Sequence, residues 1–171
     1  HYAIDERWEK LVKNSVKKII VIDDLADRKH FCDILIDNNY VESFQSRYKN
    51  LTNHDCIQLL GPNYSFINPS FIPYKKNESN CVKEVKNILI YMGGGDVNGI
   101  TLNLLNFFIS NYDYKVTAVS SDPKTIKSKI PKNKQSNIEI LPYQKDLSKL
   151  FSSSDMIVGG GGVAVWERLF L

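Results

Sequence analysis

The stretch from Met156 to Phe170 constrains the fold more than any other part of the chain. Met156-Ile157-Val158 is a short apolar run of the kind that ends a buried parallel strand. Four glycines follow, Gly159 to Gly162, and then Val163, Trp166 and Phe170 recur at helical spacing. Strand, glycine loop and helix in that order can cradle a phosphate. Glycines let the backbone approach an anion, and the free N–H groups of the helix start point at it. Glu167 falls one turn into the helix, where a carboxylate can accept two hydrogen bonds from a ribose diol. Together these features read as a nucleotide site. The competing reading is a tight turn with close strand–helix packing. A Walker A loop is excluded, because no Gly-Lys-Ser/Thr follows. Gly159-x-Gly161-x-x-Ala164 fits a loose dinucleotide fingerprint, although the acid expected about twenty residues on would fall beyond Leu171.

Composition narrows the setting. A formal charge of +3 over 171 residues is too small to indicate nucleic acid, and the lysines are scattered. The apolar runs are strand-sized, so no membrane span is expected, and no signal peptide is visible. Three cysteines, Cys32, Cys56 and Cys81, are odd in number and far apart. They suggest a reducing compartment, and a cytoplasmic protein is expected. No metal-ligand spacing occurs, and no cofactor is expected. Nothing specifies an oligomeric state. Helical periodicity begins at Ile4, close behind His1, and Leu171 stops inside an apparent helix, so an internal fragment of a longer protein is expected.

The elements read as α/β. Ile4 to Val16 is a helix with Ile4, Trp8, Leu11 and Val12 on one face. Lys18 to Asp23 is a buried strand, Asp33 to Asp37 a second and Ile57 to Leu60 a third. Ser65 to Tyr74, with its prolines, is an extended connector. Strands at 88–92, 115–119, 138–141 and 156–158 then alternate with helices at 98–110, 123–130 and 146–151. That alternation means parallel sheets with helices on their faces. The expected organisation is a first Rossmann-like domain over 1–75, a linker over 76–86 and a second Rossmann-like domain over 87–171, both incomplete.

Three constellations invite chemistry. Asp23 and Asp24 end the first strand, where open α/β sheets place ligands. They open a run with Asp27, His30, Cys32 and Asp33 whose plain reading is a polar loop and whose functional reading puts Asp23 or Asp24 in a cleft. His54-Asp55-Cys56 reads as a loop histidine beside a core cysteine. Gly93-Gly94-Gly95-Asp96 is a second glycine loop, either a tight turn with Asp96 near an N-cap or a wall facing a ligand.

Several motifs coincide in order: VIDDLADRKHFCDILIDNN (21–39), LLGPNYSFINPSF (59–71), NILIYMGGGDVNG (87–99) and MIVGGGGVAVWE (156–167). In these the chain resembles the nucleotide-sugar hydrolases of pseudaminic acid biosynthesis. Those enzymes release UDP from a UDP-linked diacetamido-trideoxy sugar. The last segment is also similar to the donor site of the peptidoglycan N-acetylglucosaminyltransferase and its relatives. The resemblance implies a GT-B-like fold with a UDP-sugar held mostly by the second domain. It implies that Gly160, Gly161 and Gly162 line the diphosphate, that Glu167 holds the ribose, that Gly94 and Gly95 form the facing loop and that Tyr2 reaches the sugar. It also implies attack by water at the anomeric carbon, without metal. The family's catalytic histidine belongs to a glycine-rich loop that this chain does not contain, so the fragment alone is expected to be inactive. Val163-Ala164-Val165 departs from the hydroxyl-rich residues often found after the glycines. Two alternatives share the donor half, a GT-B glycosyltransferase for a surface polysaccharide and a non-catalytic nucleotide-binding module.

Overall fold

A computed structural model of the chain describes residues 2–75, 84–93, 96 and 98–171. It forms two compact units, His1–Phe66 and Ile67–Leu171. Each is α/β with an all-parallel sheet, of three strands in the first and four in the second. Both are Rossmann-like. No helix among the described residues is long and apolar enough to cross a membrane. Residues 76–83, most of the linker expected at 76–86, lie outside the described residues.

The first unit opens with α1 (Glu6–Val12), whose N-terminus is capped by Asp5 accepting from the Arg7 N–H at 3.0 Å. The strands β1 (Ile20–Ile22), β2 (Ile34–Asp37) and β3 (Ile57–Leu60) lie side by side in that order. Two expectations fail here. The buried residue of α1 is Glu9, while Leu11 is 80% exposed. The reason is that Glu9 is held by polar partners inside the unit, His30 and the Phe31 N–H, and this fixes the rotation of the helix. Nor is β1 buried on both faces. Ile20 and Ile22 are 59% and 68% exposed, because the core of Ile19, Cys32, Leu35 and Tyr48 lies on the face that Val21 shares.

The second unit contains β4 (Asn87–Tyr91), α2 (Ile100–Asn111), β5 (Lys115–Val119), α3 (Pro123–Ser128), β6 (Ile138–Leu141), α4 (Ser148–Ser152), β7 (Met156–Gly159) and α5 (Val163–Phe170). Its strand order is β6-β5-β4-β7. The chain steps outward from β4 to β6, then crosses back to place β7 on the other side of β4. This is the first part of the doubly wound order, and the reversal between β4 and β7 is its switch point. Alternation along β4 sorts the two cores. Ile88 and Ile90 pack with Leu105 and Phe108 of α2, while Leu89 and Tyr91 pack with Phe151 of α4 and Phe170 of α5. Both faces are covered, which is why β4 reads as an unbroken apolar run. Asp155 ties β7 to β4 at their entrance, accepting from the backbone N–H groups of Lys86 and Asn87 at 3.0 and 2.7 Å.

Ser65 to Tyr74 is not the extended connector that its prolines suggest. Pro69–Tyr74 is a 3-10 helix, capped by Asn68 accepting from the Ser70 N–H. It buries Phe71 edge-on against Phe151, with ring centroids 5.5 Å apart. Pro69 fits the first turn of such a helix, where its missing N–H leaves no bond unmade, while Pro73 lies inside it.

Candidate nucleotide site at the strand switch point

In a doubly wound sheet the crevice lies beyond the carboxyl ends of the strands that flank the reversal. Here those ends are Tyr91 and Gly159, which are paired in register, and glycines follow both in sequence. The helices that come next differ in what they leave free. Asp96 accepts from the N–H groups of Ile100 and Thr101 at 2.8 and 2.9 Å, so the start of α2 is closed by its own carboxylate. Burial raises the Asp96 pKa, but the bonds from Thr101 and Ile100 outweigh it and hold the group below the usual range. Among the described residues no side chain caps α5, which starts after Gly162 with that residue at φ 102°. Its first N–H groups are therefore the ones left for an anion.

The four glycines of the second loop have separate causes. A Cβ on Gly159 would collide with the Tyr91 carbonyl and Arg168 Nη1, and one on Gly160 would lie 3.2 Å from the Met92 carbonyl oxygen. Those two glycines answer to close packing. Gly162 answers to its left-handed backbone. Gly161 answers to neither, since a Cβ there meets nothing within 4 Å. Gly160 is half-buried and Gly161 and Gly162 are exposed at the end of β7.

Glu167 is half-buried, with the Asn68 backbone N–H donating to it. Burial raises its pKa, the Asn68 bond lowers it, and nearby Asp146 raises it again, leaving it above the usual value. One N–H leaves a carboxylate further accepting capacity. Burial, then Tyr143 and Glu167, also push the Tyr91 phenol up, so Tyr91 and Glu167 share one environment. Sequence reasoning missed Arg168. It follows Ala164 at a four-residue spacing, which places it on the line leading back to the loop. Its Nη2 donates to the Gly160 carbonyl at 2.9 Å.

Gly94 and Gly95 lie outside the described residues. The remaining expected residues fall in the first unit. Tyr2 is exposed, with its hydroxyl 3.5 Å from Asp24 Oδ2. Asp24 is also exposed, whereas Asp23 is buried. The Asp23 carboxylate accepts from the Ala26 N–H and the Tyr48 hydroxyl, both at 2.9 Å, and pairs with Arg28 at 2.8 Å. Burial opposes its charge, but these bonds prevail and its pKa is lowered. His30, buried beside it, holds Glu9 through Nδ1 at 2.8 Å. Among the described residues no group of three or more His, Cys, Asp and Glu side chains is arranged to hold a metal ion. His54 is fully exposed and bonds Asp55, while Cys56 Sγ lies 3.5 Å from Cys32 Sγ.

A UDP-2,4-diacetamido-2,4,6-trideoxy-beta-L-altropyranose hydrolase of Campylobacter jejuni subsp. jejuni is 28% identical over 173 residues, covering 100% of this chain and 61% of the relative. The chain is a distant relative of that hydrolase. An uncharacterised protein of Methanocaldococcus jannaschii is 24% identical over 178 residues, covering 99% of this chain and 37% of its own length. The chain thus spans about three-fifths of the length of one curated relative and little more than a third of the other. No family profile matches it.

Proposed function

We propose that this chain carries the nucleotide half of a UDP-sugar hydrolase that converts a UDP-linked diacetamido-trideoxy sugar to free sugar and UDP, a step of pseudaminic acid biosynthesis. The observation that carries the reading is the uncapped glycine loop of α5 at the β4/β7 switch point. The likeness of the whole chain to the Campylobacter hydrolase supports the choice of substrate class. The N–H groups of Gly160, Gly161 and Gly162 and the start of α5 hold the diphosphate. Glu167 accepts from the two ribose hydroxyls with the lone pairs that Asn68 leaves free. UDP departs with its charge stabilised by these donors, and water takes its place at the anomeric carbon.

The test uses the full-length protein that contains this chain, incubated with the UDP-sugar and no acceptor. UDP and free sugar should appear in equal amounts, at an undiminished rate in excess EDTA. UDP release only when a saccharide acceptor is added would assign a glycosyltransferase. Tight UDP binding without turnover in either condition would assign a binding module.

A further inference from the structure

Arg168 is the cation of this unit with the least ordinary surroundings. Its Nη2 is spent on the Gly160 carbonyl, while Nη1 is buried and has no hydrogen-bond partner among the described residues. The guanidinium occupies the space over Gly159 that any larger residue would fill, beside the Tyr91 carbonyl. It therefore sits between the ends of β4 and β7, against the glycine loop. No carboxylate among the described residues pairs with it. Burial alone acts on it and lowers its pKa. Arg28 and Arg47, the comparably sheltered arginines of the first unit, each hold an aspartate. A sheltered charge without a partner is costly, and such charges are kept where an anion completes them.

We propose that Arg168 is the counter-charge for an anionic group bound on the β7–α5 loop, and that its bond to the Gly160 carbonyl holds the loop with its N–H groups outward. The anion is the diphosphate of the nucleotide. That identity rests on the function proposed above, while the need for negative charge rests on the surroundings of Arg168. The residue thus sets specificity by phosphate number: it favours a diphosphate over a monophosphate and ignores the nucleoside. A guanidinium also adds to the partial positive charge at the start of α5, which acts on the same group.

The test compares uridine, UMP, UDP and inorganic pyrophosphate on the full-length protein and its Arg168→Met and Arg168→Lys variants, with affinities from calorimetry or ligand-observed NMR. Loss of a charge-assisted bond should weaken UDP and pyrophosphate about tenfold or more in Arg168→Met. UMP should lose less and uridine almost nothing, with Arg168→Lys recovering part of the loss. An equal loss for uridine and UDP, or no loss for UDP and pyrophosphate, overturns the proposal. Should Arg168→Met fail to fold, the guanidinium Nε resonance of Arg168 in the wild type decides. It should shift on adding pyrophosphate, and a silent resonance at saturation overturns the assignment. The two readings fail separately. Pyrophosphate and ADP binding as well as UDP, all through Arg168, would keep the counter-charge and remove the uridine preference. Unchanged UDP binding by Arg168→Met would remove the counter-charge and leave the uridine site standing.

Discussion

The two units handle buried charges differently. In the first, carboxylates close on cations and donors, although His30 Nε2 has no hydrogen-bond partner among the described residues. Asp23 joins Arg28, Tyr48 and the Ala26 N–H, Asp37 joins Arg47 and Tyr48, and Glu9 joins His30 and the Phe31 N–H. In the second, the groups around the α5 loop are left open. Among the described residues the helix start has no side-chain cap, Arg168 pairs with no carboxylate, and half-buried Glu167 accepts from the Asn68 backbone N–H. A closed network is a device for stability and for holding one loop arrangement, whereas an open set of donors and acceptors is a device for binding. The acidic DDLADR-H-CD stretch catches the eye in the sequence, yet most of its side chains are already engaged.

The contrast breaks first where charges are closed. Asp23→Ala leaves the Ala26 N–H without its acceptor and takes the buried carboxylate from Arg28 and the Tyr48 hydroxyl, which keep Asp27 and Asp37 as partners. Removing one partner of a buried pair costs about 3–5 kcal/mol. Urea melts should show the first unit unfolding far earlier, and a loss under about 1 kcal/mol would mean that the network is only decorative.

Next in size is Glu167, where the effect should fall on binding. Glu167→Ala should weaken UDP by about 2 kcal/mol, roughly thirtyfold, with 2′-deoxy-UDP losing little further. Its stability effect should have the opposite sign to that of Asp23. The folded state raises the Glu167 pKa, so the folded protein binds this proton more readily than the unfolded chain. The charged form therefore opposes folding at neutral pH, and the penalty fades as pH falls through the folded value. Glu167→Gln should melt no lower than the wild type at pH 7 in calorimetry.

Gly161 sharpens the difference between packing and binding. With open space at its Cβ and no left-handed backbone to satisfy, Gly161→Ala should raise stability by about 0.4–1 kcal/mol. The same methyl group would stand between the backbone and a phosphate, so UDP affinity should drop. A variant that gains stability and keeps its affinity would return the loop to a packing role.

The smallest effect is an acid limb. Lys13, the Ile19 N–H and Lys18 hold the Asp33 carboxyl well below the usual range. The unfolded chain thus binds this proton more readily. The contribution is complete above about pH 3.9, the ordinary carboxylate value, and is lost as pH falls through the folded value. Asp33→Asn should flatten the fall in melting temperature over that acid window while leaving the slope above it unchanged.

Much of the second unit was legible because period and punctuation agree there. Lys115–Val119 and Ile138–Leu141 are bounded as their alternating residues suggest, and the βα pattern implies the parallel sheet. The first unit was less legible, since tertiary polar contacts override its patterns. The rotation of α1 is set by Glu9 meeting His30, 21 residues away, which no helical wheel contains. The Pro69–Tyr74 helix was missed because prolines mark only what the backbone cannot do. At the site, the glycine loop and Glu167 stand out in sequence. Arg168 does not, because an arginine on a short helix looks like surface until Gly159 shows that the guanidinium fills a glycine's space.

The central claim is that ligand binding belongs to the open groups of the second unit and not to the closed charges of the first. Titrating UDP into the isotopically labelled full-length protein and following backbone amide shifts tests it directly. The account predicts saturable shifts centred on Gly160, Gly161, Gly162 and Val163, with Ala26, Phe31 and Tyr48 unmoved. Shifts centred on Ala26 and Phe31, or a silent β7–α5 loop at saturating UDP, would contradict it.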